Sequence, residues 1–256
     1  MIGDRLLAEL TRDDALRFRA WWLAKVAAEG RQPDTANKSI GHAADVFKTV
    51  SDALGLGLES PFAGLKLRTR QRRQERPPIS PGWIADRLLA PGALDRLDIE
   101  GRAALLIMLN TGCRPSEIVG ALPGDFRIDA DIPHLRVAPR DGRDLKTAHS
   151  EREVPLLGVS LTAAREIVAA GGFDRYHLKA DSLSAAVNKY LRTNGLLETP
   201  AHVFYSLRHS FEDRLLEAGV DERLRAELMG HKYNRPAYGR GGSLALKAEA
   251  VARIAF

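Results

Sequence analysis

The stretch Ile99-Glu100-Gly101-Arg102-Ala103-Ala104-Leu105-Leu106-Ile107-Met108-Leu109-Asn110-Thr111-Gly112-Cys113-Arg114-Pro115-Ser116-Glu117 holds the strongest helix signal in the chain, its end, and the start of another helix. Residues 103–109 form the longest apolar run, seven residues between Arg102 and Asn110. That is far short of the ~20 residues a bilayer span needs. It predicts a strongly apolar helix over 99–109, stopped at Asn110-Thr111-Gly112. Pro115 suits the first turn of a new short helix, where its missing N–H is no loss. Arg114 then falls at the break, where a guanidinium beside a helix start is placed to hold a phosphate. A lone arginine at a turn is more often an idle surface residue. Glu117 could orient Arg114 or only favour its own helix start. Cys113 reads as a small core residue.

Before this stretch the pattern is also helical. Thr11 can cap a helix whose start Asp13 and Asp14 favour, with Ala15, Phe18, Trp22 and Val26 on one face. Gly30 ends it and Pro33 is expected to keep it ended. A second helix is expected from about Thr35, with Ile40, Ala43, Val46, Phe47, Val50 and Leu54 on one face. The turn Pro61-Phe62-Ala63-Gly64-Leu65 follows, then a basic stretch closing in Arg76-Pro77-Pro78. Beyond Arg114 the period changes: Leu135-Arg136-Val137, Asp141-Gly142 and Glu153-Val154-Pro155-Leu156 suggest a small antiparallel sheet. Helices return near 160–170, 182–193, 205–218, 221–229 and 244–255. The fold class is therefore mainly α with a small antiparallel β-sheet. Three segments are expected: a helical domain over 1–72, a linker over 73–80 and a mostly helical domain over 81–256. The first has a thin core, as though a helix preceded Met1.

Composition narrows the partners. At 256 residues, 45% hydrophobic and 28% charged, the chain is globular. One cysteine permits no internal disulfide, and the first residues lack the apolar core of a signal peptide, so a cytoplasmic protein is expected. The net charge is +5, and one stretch equals it: Lys66, Arg68, Arg70, Arg72, Arg73 and Arg76 stand against the single Glu75. Charge so concentrated fits a polyanion, although such runs are often solvated linkers. The seven histidines show no ligand spacing, so neither metal nor other cofactor is expected.

Three further places hold polar groups that a plain core does not need. Lys146 sits on or beside the proposed hairpin. Tyr205, Arg208 and His209 share a helix face, opposite the apolar stripe Leu207, Phe211 and Leu215. His209 could equally be a packed, hydrogen-bonded residue. Gly230-His231 precedes Tyr238, which lies among glycines and proline and outside regular helix. As a nucleophile that tyrosine must lose a proton whose usual pKa is about 10.

The order of these residues resembles the tyrosine recombinases, the phage integrase family. Thr111-Gly112-Cys113-Arg114-Pro115-Ser116-Glu117-Ile118, with Leu122 and Asp125, is similar to the family's first arginine box. Lys146-Thr147 with Arg152-Glu153-Val154-Pro155-Leu156 resembles its lysine hairpin. Leu207-Arg208-His209-Ser210-Phe211 resembles the second arginine box, and Leu228-Met229-Gly230-His231 the motif before the nucleophile. The first 72 residues, with Asn37 and the Pro61–Leu65 turn, are similar to its helical core-binding domain.

The resemblance implies metal-independent cutting and rejoining of double-stranded DNA. Arg114 and Arg208 would grip the scissile phosphate, His231 would donate to it, and Tyr238 would attack, leaving a 3′-phosphotyrosine. Lys146 would protonate the leaving 5′-oxygen, with residues 66–76 crossing the DNA backbone. A tetramer on DNA is implied, and helix 244–255 could pack on a neighbouring protomer or on its own domain. Two departures stand out. Tyr205 occupies a position where the family usually has histidine or lysine, leaving His209 as a candidate to assist. His231 and Tyr238 are seven residues apart where about nine is commoner; Tyr233, only two residues on, is the weaker candidate. The rival readings are a DNA-binding relic without turnover and a type IB topoisomerase-like nicking and resealing enzyme.

Overall fold

A computed structural model describes residues 5–68, 76–140, 142, 145, 147–233, 235, 239 and 241–256. The chain divides into two compact units, Met1–Gln74 and Glu75–Phe256.

In the first unit, α1 (Arg12–Glu29) and α2 (Pro33–Ala53) pack on each other. Thr11 and Asp14 close a reciprocal cap: the Thr11 hydroxyl accepts from the Asp14 N–H, and the Asp14 carboxylate accepts from the Thr11 N–H at 2.9 Å. Gly30 ends α1 in the left-handed conformation. Pro33 does not merely hold the first helix ended; it opens the second from its first turn, where proline's fixed φ is already helical. The expected apolar face of α2 is only half realised. Ile40 and Phe47 are buried with Ala15, Trp22, Ala36, Phe62, Leu65 and Leu67. Val46, Val50 and Leu54 are exposed, because α1 and the segment through Leu67 cover one line of α2 within this unit. That segment alternates: Leu65 and Leu67 point inward, Lys66 and Arg68 outward. Asn37 clasps it, accepting from the Leu67 N–H at 2.6 Å and donating to the Leu67 carbonyl at 3.1 Å.

The second unit is built around α4 (Ile99–Thr111), whose residues 103–111 are buried apart from Leu106. Asp98 caps its start and Gly112, at φ 60°, closes its end. Before it lies α3 (Pro81–Trp83), running into a wide turn over Ile84–Leu88. After it come α5 (Pro115–Val119), α6 (Val159–Ala169), α7 (Ala180–Thr193), α8 (Ser206–Glu217), α9 (Glu222–Met229) and α10 (Leu244–Ala252). Helices α5, α6, α7 and α8 all pack against α4. The sheet orders β1 (Phe126–Arg127), β2 (His134–Val137) and β3 (Arg152–Pro155) as antiparallel neighbours. Leu135 pairs with Val154 and Val137 with Arg152.

Helix α10 packs on its own unit, with Ala250 and Val251 buried. The residues after it are tied there too. The Asn110 amide donates to the Phe256 carbonyl at 2.9 Å and accepts from the Phe256 N–H at 3.2 Å. Buried Arg214 donates to the Ile254 carbonyl at 2.5 Å and lies over the Phe256 ring. Burial lowers its pKa to about 10. Among the described residues no helix is long and apolar enough to cross a membrane.

Candidate active site

Two arginines from separate elements meet one carboxylate, and a third lies near enough to feel its charge. Arg114 stands at the N-cap of α5; its backbone N–H donates to Glu117 Oε2 at 2.7 Å and its Nη1 to Oε1 at 2.6 Å. Arg152, on β3, meets the same carboxylate end-on, Nη2 to Oε2 at 2.8 Å and Nη1 to Oε1 at 3.2 Å. Its Nε donates to the Leu228 carbonyl and its Nη1 to the Ser150 carbonyl, both at 2.8 Å. Burial alone would push the Glu117 carboxyl up. The Arg152 hydrogen bonds and charge, with the Arg114 N–H and charge, outweigh burial and hold it at about 2.

Arg208 is the third. It is 2% exposed, yet among the described residues no carboxylate pairs with it. Its Nη1 donates to the Gly112 carbonyl, and its Nη2 donates to the Met229 carbonyl at 2.6 Å and to His231 Nε2 at 2.9 Å. Receiving a hydrogen bond at Nε2 fixes His231 as the neutral tautomer with its proton on Nδ1. Partial burial, then the charges of Arg208, Arg114 and Arg152, lower its pKa to about 4. Among the described residues, three guanidiniums and one carboxylate leave net positive charge beside the exposed imidazole, a setting that favours an oxyanion.

Two glycines make this packing possible. Gly230 ends α9 at φ 63°, and a Cβ there would lie 2.6 Å from Arg152 Nη1. Its carbonyl accepts from Arg114 Nη2 at 3.5 Å. Gly112 turns α4 toward Arg114, and a Cβ on it would overlap the Phe211 ring and meet Met229 Sδ at 3.0 Å. Cys113 is buried beside Arg152, and burial pushes its thiol up, so it is a packed residue and no nucleophile.

Thus Arg114, Glu117, Arg208 and His231 come together as the sequence suggests. Tyr205 and His209 form a second group. Tyr205 precedes α8, and its ring meets that of His209 edge-on at 5.7 Å between centroids. Arg76 lies over the other ring partner, its guanidinium carbon 5.3 Å from the Tyr205 centroid. Burial and the Arg208 charge lower the His209 pKa. Lys66 and Arg68 are exposed on the first unit. Lys146, Tyr238, Arg70, Arg72 and Arg73 lie outside the described residues. Their flanks are held: Thr147 Oγ1 lies 3.0 Å from Ser150 Oγ, which accepts from Arg114 at 3.4 Å. On the far side of Tyr238, Arg223 donates to the Gly239 carbonyl at 3.1 Å, and the Gly242 N–H donates to Glu227 at 2.8 Å.

Arg152 is the site residue that sequence reasoning passed over. A signal was present: period-two alternation places it on the same face of β3 as buried Val154, with Glu153 outward. An arginine on a core face needs a carboxylate, and only the fold shows that Glu117 supplies it.

The profile of the phage integrase family matches residues 85–236. The tyrosine recombinase XerC of Rhodospirillum centenum is 29% identical over 242 residues, 88% of this chain and 66% of that protein. XerD of Lacticaseibacillus casei is 27% identical over 177 residues, 65% of this chain and 58% of its own. The chain therefore spans between about half and two thirds of the length of these two curated relatives. Among solved structures, lambda integrase (75–356), a dimer bound to a core site, aligns with TM-score 0.60 and 18% identity over 91% of this chain and 80% of its own. The Tn1549 transposon integrase in complex with transposon right-end DNA gives 0.57 and 16%, over 99% and 84%. A family profile matching more than half the chain, on a fold shared with integrases, decides the assignment: the chain belongs to the phage integrase family of tyrosine recombinases.

Proposed function

We propose that the chain is a site-specific DNA recombinase acting through a 3′-phosphotyrosine intermediate. The observation that carries this is the gathering of Arg114 and Arg152 on the Glu117 carboxylate beside Arg208, whose guanidinium is hydrogen-bonded to His231. In this reading Arg114 and Arg208 hold the scissile phosphate and neutralise the charge that grows as phosphorus becomes five-coordinate. Carbonyls of Gly112 and Met229 fix the Arg208 fork, and Glu117 fixes Arg114, so neither reorganises when the phosphate arrives. Arg152 touches no substrate here; it holds Glu117. His231 donates from Nδ1 to a phosphate oxygen.

Tyr238 attacks phosphorus with its phenolate oxygen, forming the phosphotyrosine bond as the bond to the 5′-oxygen breaks. Lys146 gives its proton to that leaving oxygen. The new ester keeps the energy of the old, so a second 5′-hydroxyl reverses the step on another strand. Residues 1–72 act as the core-binding domain, linked by 73–80 to the catalytic domain over 81–256. Lys66, Arg68, Arg70, Arg72, Arg73 and Arg76 meet the phosphate backbone. The working assembly is a tetramer on DNA, in the cytoplasm.

Covalent trapping tests this. Nicked duplexes, selected from a random-sequence library by binding to the wild type, are incubated with wild type, Tyr238→Phe, Tyr233→Phe and Arg208→Ala. An SDS-resistant adduct is expected from wild type and Tyr233→Phe, and none from Tyr238→Phe. Arg208→Ala should slow its formation about 100- to 1,000-fold, as for removal of an oxyanion donor. Salt-sensitive binding with no adduct from any variant would instead identify a binding-only relic. A complex of strictly one protomer per duplex would favour nicking and resealing over exchange.

A further inference from the structure

Arg76 ends the basic stretch but belongs to the second unit, and its guanidinium is placed by a contact the charge pattern does not reveal. It lies over the Tyr205 ring at 5.3 Å, and the same ring meets that of His209 edge-on at 5.7 Å. Tyr205 is three residues before Arg208 and close enough to influence its charge, and His209 feels both Arg208 and Arg76. Arg76, Tyr205 and His209 therefore form one contact group, with buried Arg208 next to it in sequence. Arg76 is exposed, and among the described residues no carboxylate pairs with it. An unpaired surface arginine is ordinarily mobile, and stacking on an aromatic face removes that freedom in advance of binding. The Tyr205 hydroxyl, for its part, has no hydrogen-bond partner among the described residues.

We propose that Arg76 is a further phosphate-binding residue of the cleavage pocket, seated on the Tyr205 ring so that it grips a DNA phosphate at the pocket mouth. The role rests on the recombinase reading above and deepens it. Arg76 then does more than add to a diffuse basic patch: it fixes the strand beside the phosphate that Arg114 and Arg208 hold. Tyr205 is a positioning residue, acting through its ring and not through its hydroxyl.

The test is single-turnover adduct formation on the selected nicked duplexes, at saturating protein. Arg76→Ala and Tyr205→Leu should each slow it at least tenfold, with the double variant no slower than either, because both remove one device. Tyr205→Phe, which keeps the ring, should recover most of what Tyr205→Leu loses. Replacing phosphates one at a time by uncharged methylphosphonate should reveal a single position at which Arg76→Ala no longer matters. A Tyr205→Phe defect as large as that of Tyr205→Leu would assign the role to the hydroxyl and overturn the proposal. An Arg76→Ala defect that persists at every methylphosphonate position would do the same, as would unchanged adduct formation in Arg76→Ala while the wild type reacts. Failure of the wild type to form any adduct would overturn the recombinase reading and the proposal together. Thermal melting of each variant checks that the fold is intact.

Discussion

Glu117 answers to two guanidiniums in a space that excludes water, and the sign of its pKa shift dictates how stability responds to acid. Its carboxyl is held at about 2, below the usual 4.5, so the pair contributes fully above pH ~4.5 and is lost as pH falls toward 2. The shift corresponds to about 3 kcal/mol at neutral pH. Glu117→Gln should cost about that much, since it strands the buried Arg152 guanidinium. Urea midpoints should show the gap between wild type and Glu117→Gln closing as pH falls from 5 to 2; a gap independent of pH would rule out the ion pair as its origin. His231 behaves oppositely toward its ligand. Burial, then three guanidiniums, hold it neutral, and an arriving phosphate opposes the guanidinium charge, so its pKa must rise on binding. DNA binding should therefore take up a proton, and tighten, as pH falls from about 6.5 to 4. Calorimetry in two buffers of different ionisation heat measures that uptake, which His231→Gln should abolish. Arg114, Arg208 and His231 were legible because their order and spacing resemble the arginine boxes and the glycine–histidine motif of the tyrosine recombinases; taken singly, each has a plain structural reading. Arg152 was not legible, because its partner lies thirty-five residues away on α5, a contact between a strand and a helix that no local pattern announces.

At the scale of elements, the pocket is a junction where the end of α4, the start of α5, β3, the first turns of α8 and the end of α9 meet. Glycine at two of those ends is a steric requirement. Gly112→Ala would place a methyl group in the Phe211 ring at a positive φ, costing about 2–4 kcal/mol from backbone strain and overpacking together. In a unit of this size that is a fall of roughly 5–15 °C in Tm. Gly230→Ala is expected to be milder in stability and as severe in adduct formation, because the flexible Arg152 end can move aside only by releasing Glu117. Equal activity of Gly230→Ala and wild type would show that Arg152 need not stay in place. Element types followed from local signals: the Thr11 cap, the apolar run of α4 and the alternation of β2 and β3, whereas Asp141 of the Asp-Gly signal lies outside the described residues. What local signals could not supply was which face finds a neighbour. Val46, Val50 and Leu54 continue the helical period of α2 with nothing in their unit to cover them, and Pro33 reads equally as a stop or a start. Helix α10 likewise gave no sign of whose core Val251 would enter.

Across the whole chain, the two units differ in how much apolar surface they bury for their length, and their stabilities should differ accordingly. The first draws its core from Ala15, Trp22, Ala36, Ile40, Phe47, Phe62, Leu65 and Leu67. It also leaves Trp22 Nε1 buried without a hydrogen-bond partner among the described residues, a desolvation cost of about 1–3 kcal/mol. The second buries residues from every helix between α4 and α10, with α4 enclosed on several sides. A small unit recovers proportionately less burial against chain entropy that scales with length, so it sits nearer its unfolding threshold. Scanning calorimetry of the intact chain should accordingly resolve two transitions, the lower belonging to residues 1–74 and the upper to 75–256. Leu105→Ala, at the centre of α4, should lower the upper transition by an amount matching about 2–5 kcal/mol and leave the lower in place. Phe47→Ala, costing about 3–5 kcal/mol, should lower or erase the first transition and leave the second. A single transition that both substitutions shift would mean that the units unfold as one cooperative body. In that case the basic stretch between them would be a structural joint, and its charge could not be varied without cost to the fold.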